Sequence, residues 1–332
     1  TLFDTPVTER AVMAVMTSGT TGIPKILFRS FESWADFFAI QNAVFGVDAD
    51  SRLFVQGSLA FTGNLNLYMG QLAAGGTLIA EDVFLPGKWE QVMARERANG
   101  IYLIPSKLLM LPRVFKGVNA NIRTIISGSQ SLGRKDAEVL KKIFPNTEIT
   151  LYYGASELNY ITYVKSADMT EERNLIGKPF PGVRVFIQDD EMYVDNAFHV
   201  ENITVPYSLK DSGRMDAQGN FYFLGRTDDI VGVRGRKVSM MKIENALEEV
   251  AGITEAAVVL LPKEKDADMP AEIVSAFVTV EGTDVPENLR QQLKEKLADF
   301  EIPKRVIVLE AFPKNTSGKV DKARLKKMWI EQ

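Results

Sequence analysis

The chain has 332 residues, of which 45% are hydrophobic and 25% are charged, and it carries a net charge of -4 at pH 7. This composition is that of a folded protein of about two domains. Its mild acidity argues against a general nucleic-acid binder, which is usually basic. The chain contains no cysteine, so neither a disulfide nor a cysteine nucleophile is available.

The single histidine, His199, limits the chemistry further. A metal site built from several histidines is excluded, and a Ser-His-Asp hydrolase would have to use His199 itself. Because His199 stands between a loop and a predicted strand, with no nucleophile elbow, we interpret it as structural. No apolar segment approaches the roughly 18 residues of a membrane span, and no signal peptide is visible, so we expect a cytoplasmic protein.

Short apolar segments alternate with segments of helical spacing over residues 11–153. Strands are predicted at residues 11–16, 53–56, 77–80, 101–104, 123–127 and 148–153. Helices are predicted at residues 34–44, 65–74, 89–98 and 134–143. Strands separated by helices indicate βαβ units, so we predict an α/β fold whose parallel sheet has flanking helices on both faces. Ligands of such sheets bind beyond the carboxyl ends of the strands.

The Gly/Pro-rich residues 177–182 mark a change of architecture. Short strands predicted at 183–188, 191–194, 203–205 and 221–223 indicate a small antiparallel β subdomain beside the parallel sheet. Beyond residue 228 the pattern is α+β, with a helix at 241–250 and strands at 255–261, 273–280 and 305–309. Asp284 and Glu287 form a predicted capping box for a further helix. We predict a first domain over residues 1–227 and a small C-terminal domain over residues 228–332.

A segment rich in hydroxyl groups and glycine follows the first predicted strand. Its members that could contact an anion are Thr17, Ser18, Gly19, Thr20, Thr21, Gly22 and Lys25. Glycine lets the backbone approach an anion and donate N–H groups, while hydroxyls add donors and lysine adds positive charge. The segment therefore predicts a polyphosphate site, with a polar surface turn as the alternative. It is not a Walker A loop, because Lys25 follows proline and no Gly-Lys-Ser/Thr sequence opens a helix.

Two later predicted strands also end in distinctive residues. One ends in Ser127, Gly128 and Ser129, and small residues there leave room for a flat or bulky group against the backbone. Taken alone this is an ordinary turn. The other ends in Tyr152, Tyr153, Gly154, Ala155, Ser156 and Glu157. On its own, Glu157 indicates a solvated or capping residue.

Together with residues 225–238 and 313–320, these segments resemble the adenylate-forming superfamily: acyl- and aryl-CoA synthetases, peptide-synthetase adenylation domains and luciferases. The resemblance implies that residues 17–25 bind the phosphates of ATP. It implies that the following residues line the adenine and acyl pockets: Ser127, Gly128, Ser129, Tyr152, Tyr153 and Gly154. Ser156 would approach the α-phosphate, and Glu157 would help to hold Mg²⁺, for which a carboxylate is a suitable ligand.

The resemblance also assigns the ribose of the nucleotide. Asp211 matches an aspartate that accepts hydrogen bonds from both ribose hydroxyls in the family, and Arg226 matches a second ribose contact. The sequence departs from the family pattern just before this aspartate, where Leu209 and Lys210 replace Thr-Gly. The assignment of Asp211 therefore depends mainly on its spacing from the segment that contains Arg226.

The C-terminal part of the resemblance concerns the catalytic cycle. Asp228 would be the hinge on which the C-terminal domain turns between two catalytic poses, and Gly235 would line the channel for pantetheine. Lys237 stands where many members carry arginine, which keeps the charge but loses the bidentate fork. Lys319 would bridge the attacking carboxylate and the α-phosphate as the adenylate forms. The catalytic residues implied are Lys319, Ser156, Glu157 and Lys237.

The implied reaction needs no general base, because a carboxylic acid is already ionised at neutral pH. The carboxylate would attack ATP to form an acyl-adenylate, and a thiol would then take the acyl group. Since the chain has no cysteine, that thiol must belong to coenzyme A or to a pantetheinylated carrier protein. A non-catalytic nucleotide-binding derivative of the family is the third hypothesis.

The acid itself is specified only in part. Phe61, Thr62 and Asn64 are the predicted substrate-pocket residues, and they lie in a segment where amino-acid-activating relatives place an aspartate. That position is Thr62 here, which argues against an α-amino acid and favours a fatty, aryl or other small organic acid. Only sixteen residues precede Thr17, whereas family members carry a substantial subdomain there. We expect a compact or truncated form that self-associates, as a homo-oligomer, to cover its exposed apolar surface.

Overall fold

The computed structural model describes residues 9–17, 25–59, 61–227, 230–233, 236–263, 272–314 and 320–331. The chain divides into two compact units. The first unit consists of Thr1–Leu209 and Gly213–Phe223, and the second consists of Lys210–Ser212 and Leu224–Gln332. The predicted boundary at residues 227 and 228 stays a prediction.

Between residues 52 and 155, strands alternate with helices as the sequence pattern indicated. The strands before residue 227 are β1 (Ala11–Thr17), β2 (Lys25–Ser30), β3 (Arg52–Gln56), β4 (Thr77–Glu81), β5 (Gly100–Tyr102), β6 (Thr124–Gly128), β7 (Glu148–Ala155), β8 (Asn159–Lys165), β9 (Leu175–Pro179), β10 (Arg184–Gln188), β11 (Glu191–Asp195), β12 (Tyr207–Met215) and β13 (Phe221–Arg226). The helices are α1 (Phe31–Ala35), α2 (Phe37–Phe45), α3 (Thr62–Ala73), α4 (Pro86–Arg95), α5 (Pro105–Leu108), α6 (Leu111–Val114) and α7 (Arg134–Ile143).

Eleven of these strands form one sheet, in the order β10-β11-β12-β13-β9-β8-β7-β6-β5-β3-β4. The strands from β4 to β7 are parallel, whereas β8 pairs antiparallel with β7 and with β9. The predicted α/β fold with a parallel sheet is confirmed. The antiparallel strands continue the same sheet, because β8, which the sequence pattern did not indicate, joins the two parts.

Helices cover both faces of the parallel strands. Successive residues of β3 point to opposite faces, so that Phe54 belongs to one apolar cluster while Leu53 and Val55 belong to the other. Helices α4 and α7 pack on the face of Phe54, and α2 and α3 pack on the opposite face. All three β3 side chains are fully buried, as expected for a strand in a two-sided parallel sheet.

The first strand does not belong to this sheet, and its predicted place in the parallel sheet is wrong. β1 instead pairs antiparallel with β2, which the sequence pattern missed, and Thr17 lies opposite Lys25. Leu27 and Phe28 of β2 are buried, and Leu27 packs with Val15 of β1. The hydroxyl-rich segment therefore connects the two strands of a hairpin, and β1 does not enter a βαβ unit.

The second unit is α+β. Its elements are β14 (Ile230–Val233), β15 (Arg236–Ser239), α8 (Met240–Glu248), β16 (Ile253–Pro262), β17 (Glu272–Val280), α9 (Leu289–Lys294), β18 (Arg305–Val308) and α10 (Lys322–Glu331). The strands β16, β17 and β18 form one sheet, whose inner face shares a core with α8 and α9. The predicted capping box is absent, because Asn288 caps α9 without a side-chain bond and Asp284 accepts a hydrogen bond from Thr283.

None of the helices in the described part of the chain is both long enough and apolar enough to cross a lipid bilayer.

Candidate active site

The connection between β7 and β8 carries two of the predicted catalytic residues. β7 ends at Ala155 and β8 begins at Asn159, so Ser156 and Glu157 lie just beyond the carboxyl end of a central parallel strand. The Oγ atom of Ser156 lies 3.0 Å from Oγ1 of Thr62, the first residue of α3. A predicted phosphate-binding hydroxyl and a predicted substrate-pocket residue therefore meet in the fold.

A buried arginine is hydrogen-bonded to the main chain of this connection. Arg29 of β2 is completely buried, and its guanidinium donates a hydrogen bond of 2.9 Å to the carbonyl oxygen of Ser156. It also donates to the carbonyl oxygens of Phe198, at 2.8 Å, and Ser33, at 3.3 Å. The rigid fork of the guanidinium can serve several acceptors at once. Since β2 also begins at Lys25, Arg29 links the strand that follows the phosphate segment to the Ser156–Glu157 connection.

The electrostatic environment of Arg29 involves Glu157. Burial disfavours the charged guanidinium and lowers the pKa of Arg29 to about 10, while the nearby Glu157 carboxylate raises that pKa. Arg29 remains protonated at neutral pH. Its positive charge thus acts on the half-buried carboxylate of Glu157. The main chain of Glu157 is fixed separately, because its carbonyl oxygen accepts a 2.9 Å hydrogen bond from the N–H group of Val200.

The donor set fits a magnesium ion that is shared with a phosphate ligand. Among the residues that the structure describes, no group of three or more His, Cys, Asp or Glu side chains could hold a metal by itself. Mg²⁺ is commonly bound through one or two carboxylates, with the remaining positions taken by water and substrate phosphates. A single carboxylate from Glu157 beside Ser156, the hydroxyl predicted to bind phosphate, matches that pattern.

The small residues at the end of β6 make room for a side chain of the protein itself. Gly128 lies opposite Tyr152 in the β6–β7 pair. A Cβ atom at position 128 would lie 2.6 Å and 2.7 Å from two carbons of the Tyr152 ring. Only glycine fits at position 128 while the Tyr152 ring is in place. The space that the sequence pattern attributed to a bound group is thus occupied by Tyr152.

Three tyrosine hydroxyl groups surround the first turn of α3. The Tyr152 hydroxyl lies 2.9 Å from that of Tyr102, a residue of β5, and it is also hydrogen-bonded to Ser129. A Cβ atom at Gly63 would lie 3.0 Å from the Tyr152 hydroxyl, and the Tyr160 hydroxyl donates to the Gly63 carbonyl at 3.0 Å. Burial raises the pKa of Tyr152 to about 12 and the pKa values of Tyr102 and Tyr160 well above their usual range.

The remaining predicted pocket residues differ in what their side chains do. Ser127 is fully buried and donates a 2.7 Å hydrogen bond to the Leu103 carbonyl, so its side chain serves the sheet. Asn64 donates to the Ser58 carbonyl at 2.8 Å and thereby fixes the loop before α3. Phe61 is 45% exposed. Tyr153 packs against Phe223, with ring centroids 5.9 Å apart, and Gly154 follows it at an exposed position of β7.

The two predicted ribose contacts lie together in the second unit. Asp211 is buried, and one of its carboxylate oxygens lies 3.5 Å from Nε of the half-exposed Arg226. Lys210, which stands where the family has glycine, adopts a φ of 61°. Glycine adopts this left-handed conformation at little cost. The backbone therefore keeps the shape that glycine suits, which supports the spacing on which the assignment of Asp211 depends.

Several predicted site residues lie outside the described residues, and their assignments stay predictions. In the phosphate segment these are Ser18, Gly19, Thr20, Thr21 and Gly22, together with the side chain of Thr17. In the second unit they are Asp228, Gly235, Lys319 and the side chain of Lys237. Lys25 is described and is exposed at the start of β2.

Sequence reasoning missed two residues of this site, Arg29 and Tyr102. Arginine in an apolar strand such as Lys25–Ser30 is unusual because a buried charge is costly without partners, and that composition is the signal that could have identified Arg29. Tyr102 gives no such signal, because a tyrosine at the end of a strand is ordinary. The predicted structural role of His199 stays a prediction; its ring Nδ1 lies 2.7 Å from the Val200 carbonyl oxygen.

Comparison with protein families gives two matches that together span most of the chain. Residues 4–197, more than half of the chain, match the model described as AMP-binding enzyme. Residues 242–319 match the model described as AMP-binding enzyme C-terminal domain.

Among curated proteins, the chain is 27% identical to the uncharacterized acyl–CoA ligase YhfT of Bacillus subtilis, over 95% of this chain and 68% of that protein. It is 26% identical to a 2-succinylbenzoate–CoA ligase of Listeria monocytogenes, over 96% of this chain and 70% of that protein. It is also 27% identical to a linear gramicidin synthase of Brevibacillus parabrevis, over 94% of this chain and 7% of that much longer protein. The chain thus spans about two thirds of the length of the two ligases.

Solved structures of similar fold include two synthetases. The amide bond synthetase McbA from Marinactinospora thermotolerans gives a TM-score of 0.83 at 23% identity, over 97% of this chain and 70% of that one. The O-succinylbenzoate coenzyme A synthetase MenE from Bacillus subtilis, in complex with ATP and magnesium, gives a TM-score of 0.81 at 20% identity, over 94% of this chain and 69% of that one. At these identities the likeness establishes the fold.

Proposed function

Because this chain belongs to the AMP-binding enzyme family, we propose that it activates a carboxylic acid with ATP and transfers the acyl group to coenzyme A. Its enzyme class is that of the AMP-forming acid–thiol ligases. The proposal is carried chiefly by one observation. Ser156 and Glu157 lie at the carboxyl edge of the parallel strands, where the Ser156 side chain contacts Thr62 of α3 and the Ser156 carbonyl oxygen accepts a hydrogen bond from Arg29.

The first half-reaction is a displacement at phosphorus. A carboxylate oxygen of the acid attacks the α-phosphorus of ATP, the bond to the β-phosphate oxygen breaks, and pyrophosphate leaves. Ser156 is proposed to donate a hydrogen bond to the α-phosphate, and Glu157 would hold Mg²⁺. When bound, Mg²⁺ supplies positive charge that neutralises the phosphates. Lys319 is proposed to stabilise the charge that grows between the attacking carboxylate and the phosphate.

The second half-reaction transfers the acyl group to sulfur. A thiol attacks the acyl carbonyl of the adenylate, loses its proton, and AMP leaves with the oxygen that joined it to the acyl group. The two CoA ligases among the relatives support coenzyme A as the thiol, with Gly235 proposed to line its channel and Lys237 proposed to aid catalysis. Asp211 and Arg226 are proposed to hold the ribose.

A second acceptor is a pantetheinylated carrier protein. The match to the linear gramicidin synthase supports this alternative, because that relative is a peptide synthetase. Against an amino-acid substrate stands Thr62, which occupies the position where amino-acid-activating relatives carry aspartate. Product analysis after addition of coenzyme A, or of a phosphopantetheinylated carrier, would separate the two acceptors.

The test of adenylation is ATP–pyrophosphate exchange over a panel of fatty, aryl and small organic acids. We expect exchange with one class of acid, and we expect Lys319→Ala to lower its rate by about 10²–10³. Lys314→Ala is the matched control, because Lys314 lies in the same segment and pairs with Glu255 at the protein surface. Exchange with no acid, although ATP binds, would contradict the proposal and would favour a non-catalytic nucleotide-binding role.

A further inference from the structure

We propose that Tyr152 and Tyr102 close the acid-binding end of this active site, so that the substrate is a short-chain carboxylic acid. This inference rests on the proposed function, since it concerns the acid that would be adenylated. It starts from the position of the reacting groups. The carboxylate must reach the α-phosphate beside Ser156, and Ser156 touches Thr62 at the start of α3. The rest of the acid then extends from that point into the fold.

The next residue along α3 is already in contact with tyrosine. At Gly63, a Cβ atom would meet the hydroxyl oxygens of Tyr152 and Tyr102, at 3.0 Å and 3.5 Å. The space between Gly63 and the tyrosine pair is therefore too small to take even a methyl group without a shift of the Tyr152 hydroxyl. A substrate chain that continued past Thr62 along this face of α3 would collide with the two hydroxyl groups.

Tyr152 also closes the side of the site that lies at the end of β6. The Tyr152 ring covers Gly128 at the carboxyl end of β6, so closely that no side chain fits there. Tyr102 stands behind the Tyr152 hydroxyl, and both residues are buried. Tyr152 also packs against Tyr160, with ring centroids 4.4 Å apart, and against Phe45, at 5.9 Å. These packed aromatic neighbours oppose a swing of the ring that would admit a longer chain.

The hydroxyl groups of Tyr152 and Tyr102 are hydrogen-bonded to each other. Tyr152 is bonded to Tyr102 and to Ser129, and a buried hydroxyl that lost these partners would be costly to leave unpaired. A long apolar chain would have to displace the ring and separate these bonds. The tyrosine pair would therefore select acids by the length of their chain.

The experiment measures binding and exchange over a series of straight-chain acids. Acetyl, butyryl, hexanoyl and octanoyl sulfamoyl-adenosines, which mimic acyl-adenylates, are titrated against the full chain by calorimetry. We expect the acetyl and butyryl compounds to bind at least about tenfold more tightly than the octanoyl compound, since a single misfitting methylene costs about 10–200-fold. Pyrophosphate exchange with the corresponding free acids is expected to follow the same order.

Two variants test the cause. Tyr152→Ala removes the ring and is expected to bring binding of the octanoyl compound within about threefold of the butyryl compound. Gly63→Ala adds a methyl group against the pair and is expected to weaken the butyryl compound further. Tyr222→Ala is the control: Tyr222 is also a buried tyrosine, but it lies on β13 and donates to Asp216, so its loss should leave the order unchanged. If Tyr152→Ala does not fold, Tyr152→Leu takes its place.

The outcomes separate the inference from the function. Equal binding of all four compounds by the wild-type chain, or an order that Tyr152→Ala, or Tyr152→Leu in its place, leaves unchanged, would overturn the inference while the proposed function stands. If no compound binds and no acid supports exchange, the proposed function fails and the inference fails with it. A short-chain preference that is lost in the Tyr152 variant supports both.

Discussion

Arg29 joins two separate parts of the first unit through its hydrogen bonds. It reaches Ser156 and Phe198, which lie 127 and 169 residues further along the chain. Hydrogen bonds from a charged donor contribute about 1.5–3 kcal/mol each, and an orphaned buried acceptor carries its own desolvation penalty. Part of this stabilisation is offset by the cost of burying the charge. The three carbonyl oxygens that accept from the fork oppose this cost, whereas the buried Nε of Arg29 has no hydrogen-bond partner among the described residues.

We therefore expect Arg29→Met to lower the free energy of unfolding by about 2–4 kcal/mol, since it leaves these carbonyl oxygens without their donor. Arg29→Lys should recover only part of the loss, because an ammonium group lacks the planar fork. Urea denaturation measures both. Arg10→Met is the control, because Arg10 is 68% exposed in its ion pair with Glu32 and should cost less than about 1 kcal/mol. Equal stability of the two methionine variants would contradict this role for Arg29.

The buried tyrosines predict a loss of stability in alkaline solution. The unfolded chain ionises its tyrosines near pH 10, whereas burial raises the pKa of Tyr152 to about 12 and that of Tyr102 well above its usual range. Between these values the unfolded state releases protons that the folded state retains, so rising pH favours unfolding. Each such tyrosine lowers the free energy of unfolding by about 1.4 kcal/mol for each unit of pH in that range.

Absorbance titration of tyrosinate would check this expectation. In the folded protein we expect Tyr102, Tyr152 and Tyr160, of the nine tyrosines present, to remain neutral at about pH 11 and to ionise only as the chain unfolds. Tyr102→Phe should reduce the steepness with which stability falls above pH 10. If all nine tyrosines ionised together near pH 10 with the fold intact, the tyrosine cluster would not be buried as described.

Among the secondary-structure elements, the strands of the large sheet depend on close contacts that glycine permits. Gly177 lies in β9, between β8 and β13, and has a φ of +80°. A Cβ atom there would clash with the carbonyl oxygen of Tyr163 and lie 2.8 Å from Cβ of Val164. Gly219 has nearly the same φ, +79°, but nothing lies within 4 Å of its Cβ position. The two glycines thus share the same φ and differ in the space around their Cβ positions.

Alanine substitution at both positions would separate these two effects. Gly219→Ala should cost about 1–2 kcal/mol, which is the strain of a left-handed non-glycine residue. Gly177→Ala should cost that amount and a further 1–3 kcal/mol, roughly, for the clash with the β8 backbone. The difference in urea midpoints between the variants measures the clash alone. Similar losses at both positions would show that β8 and β9 are not as close as described.

In the molecule as a whole, the second unit has a core of its own. The side chains of α8, α9 and the β16–β17–β18 sheet form one apolar cluster, and α10 adds a second on the other face. A unit of about a hundred residues can bury enough apolar surface to fold independently. Both faces of its sheet are thereby covered by helices of the same unit.

We expect a fragment of residues 224–332 to be monomeric and folded. Circular dichroism and dispersed amide signals in a two-dimensional NMR spectrum would establish this, and unfolding should be cooperative because the core is continuous. Leu247→Ala is the matched variant, since Leu247 is fully buried in this core; it should lower the stability by about 2–5 kcal/mol. A fragment without dispersed signals would show that the unit requires the rest of the chain.

Local sequence was enough to establish the class of fold, the order of most elements and the family. Hydrophobic periodicity is local, so β3 to β7 and three of the helices between them, α3, α4 and α7, could be predicted from residues near in sequence. The short helices α5 and α6 were not predicted. The Tyr153–Glu157 and 225–238 segments could be recognised because the residues that identify each segment lie within a few positions of one another. Composition alone excluded disulfides, a cysteine nucleophile and a metal site built from several histidines, because the chain has no cysteine and one histidine.

Which distant segments meet became clear only in three dimensions. The pairing of β1 with β2, the joining of the two parts of the sheet by β8, and the burial of Arg29 against Ser156 all depend on contacts between different segments of the chain. Gly128 gives the clearest case: its sequence context predicted space, but only the register of β6 against β7 shows that Tyr152 fills it. A periodic pattern records which face of a strand is buried, and the neighbour that buries it is set by the packing of the whole unit.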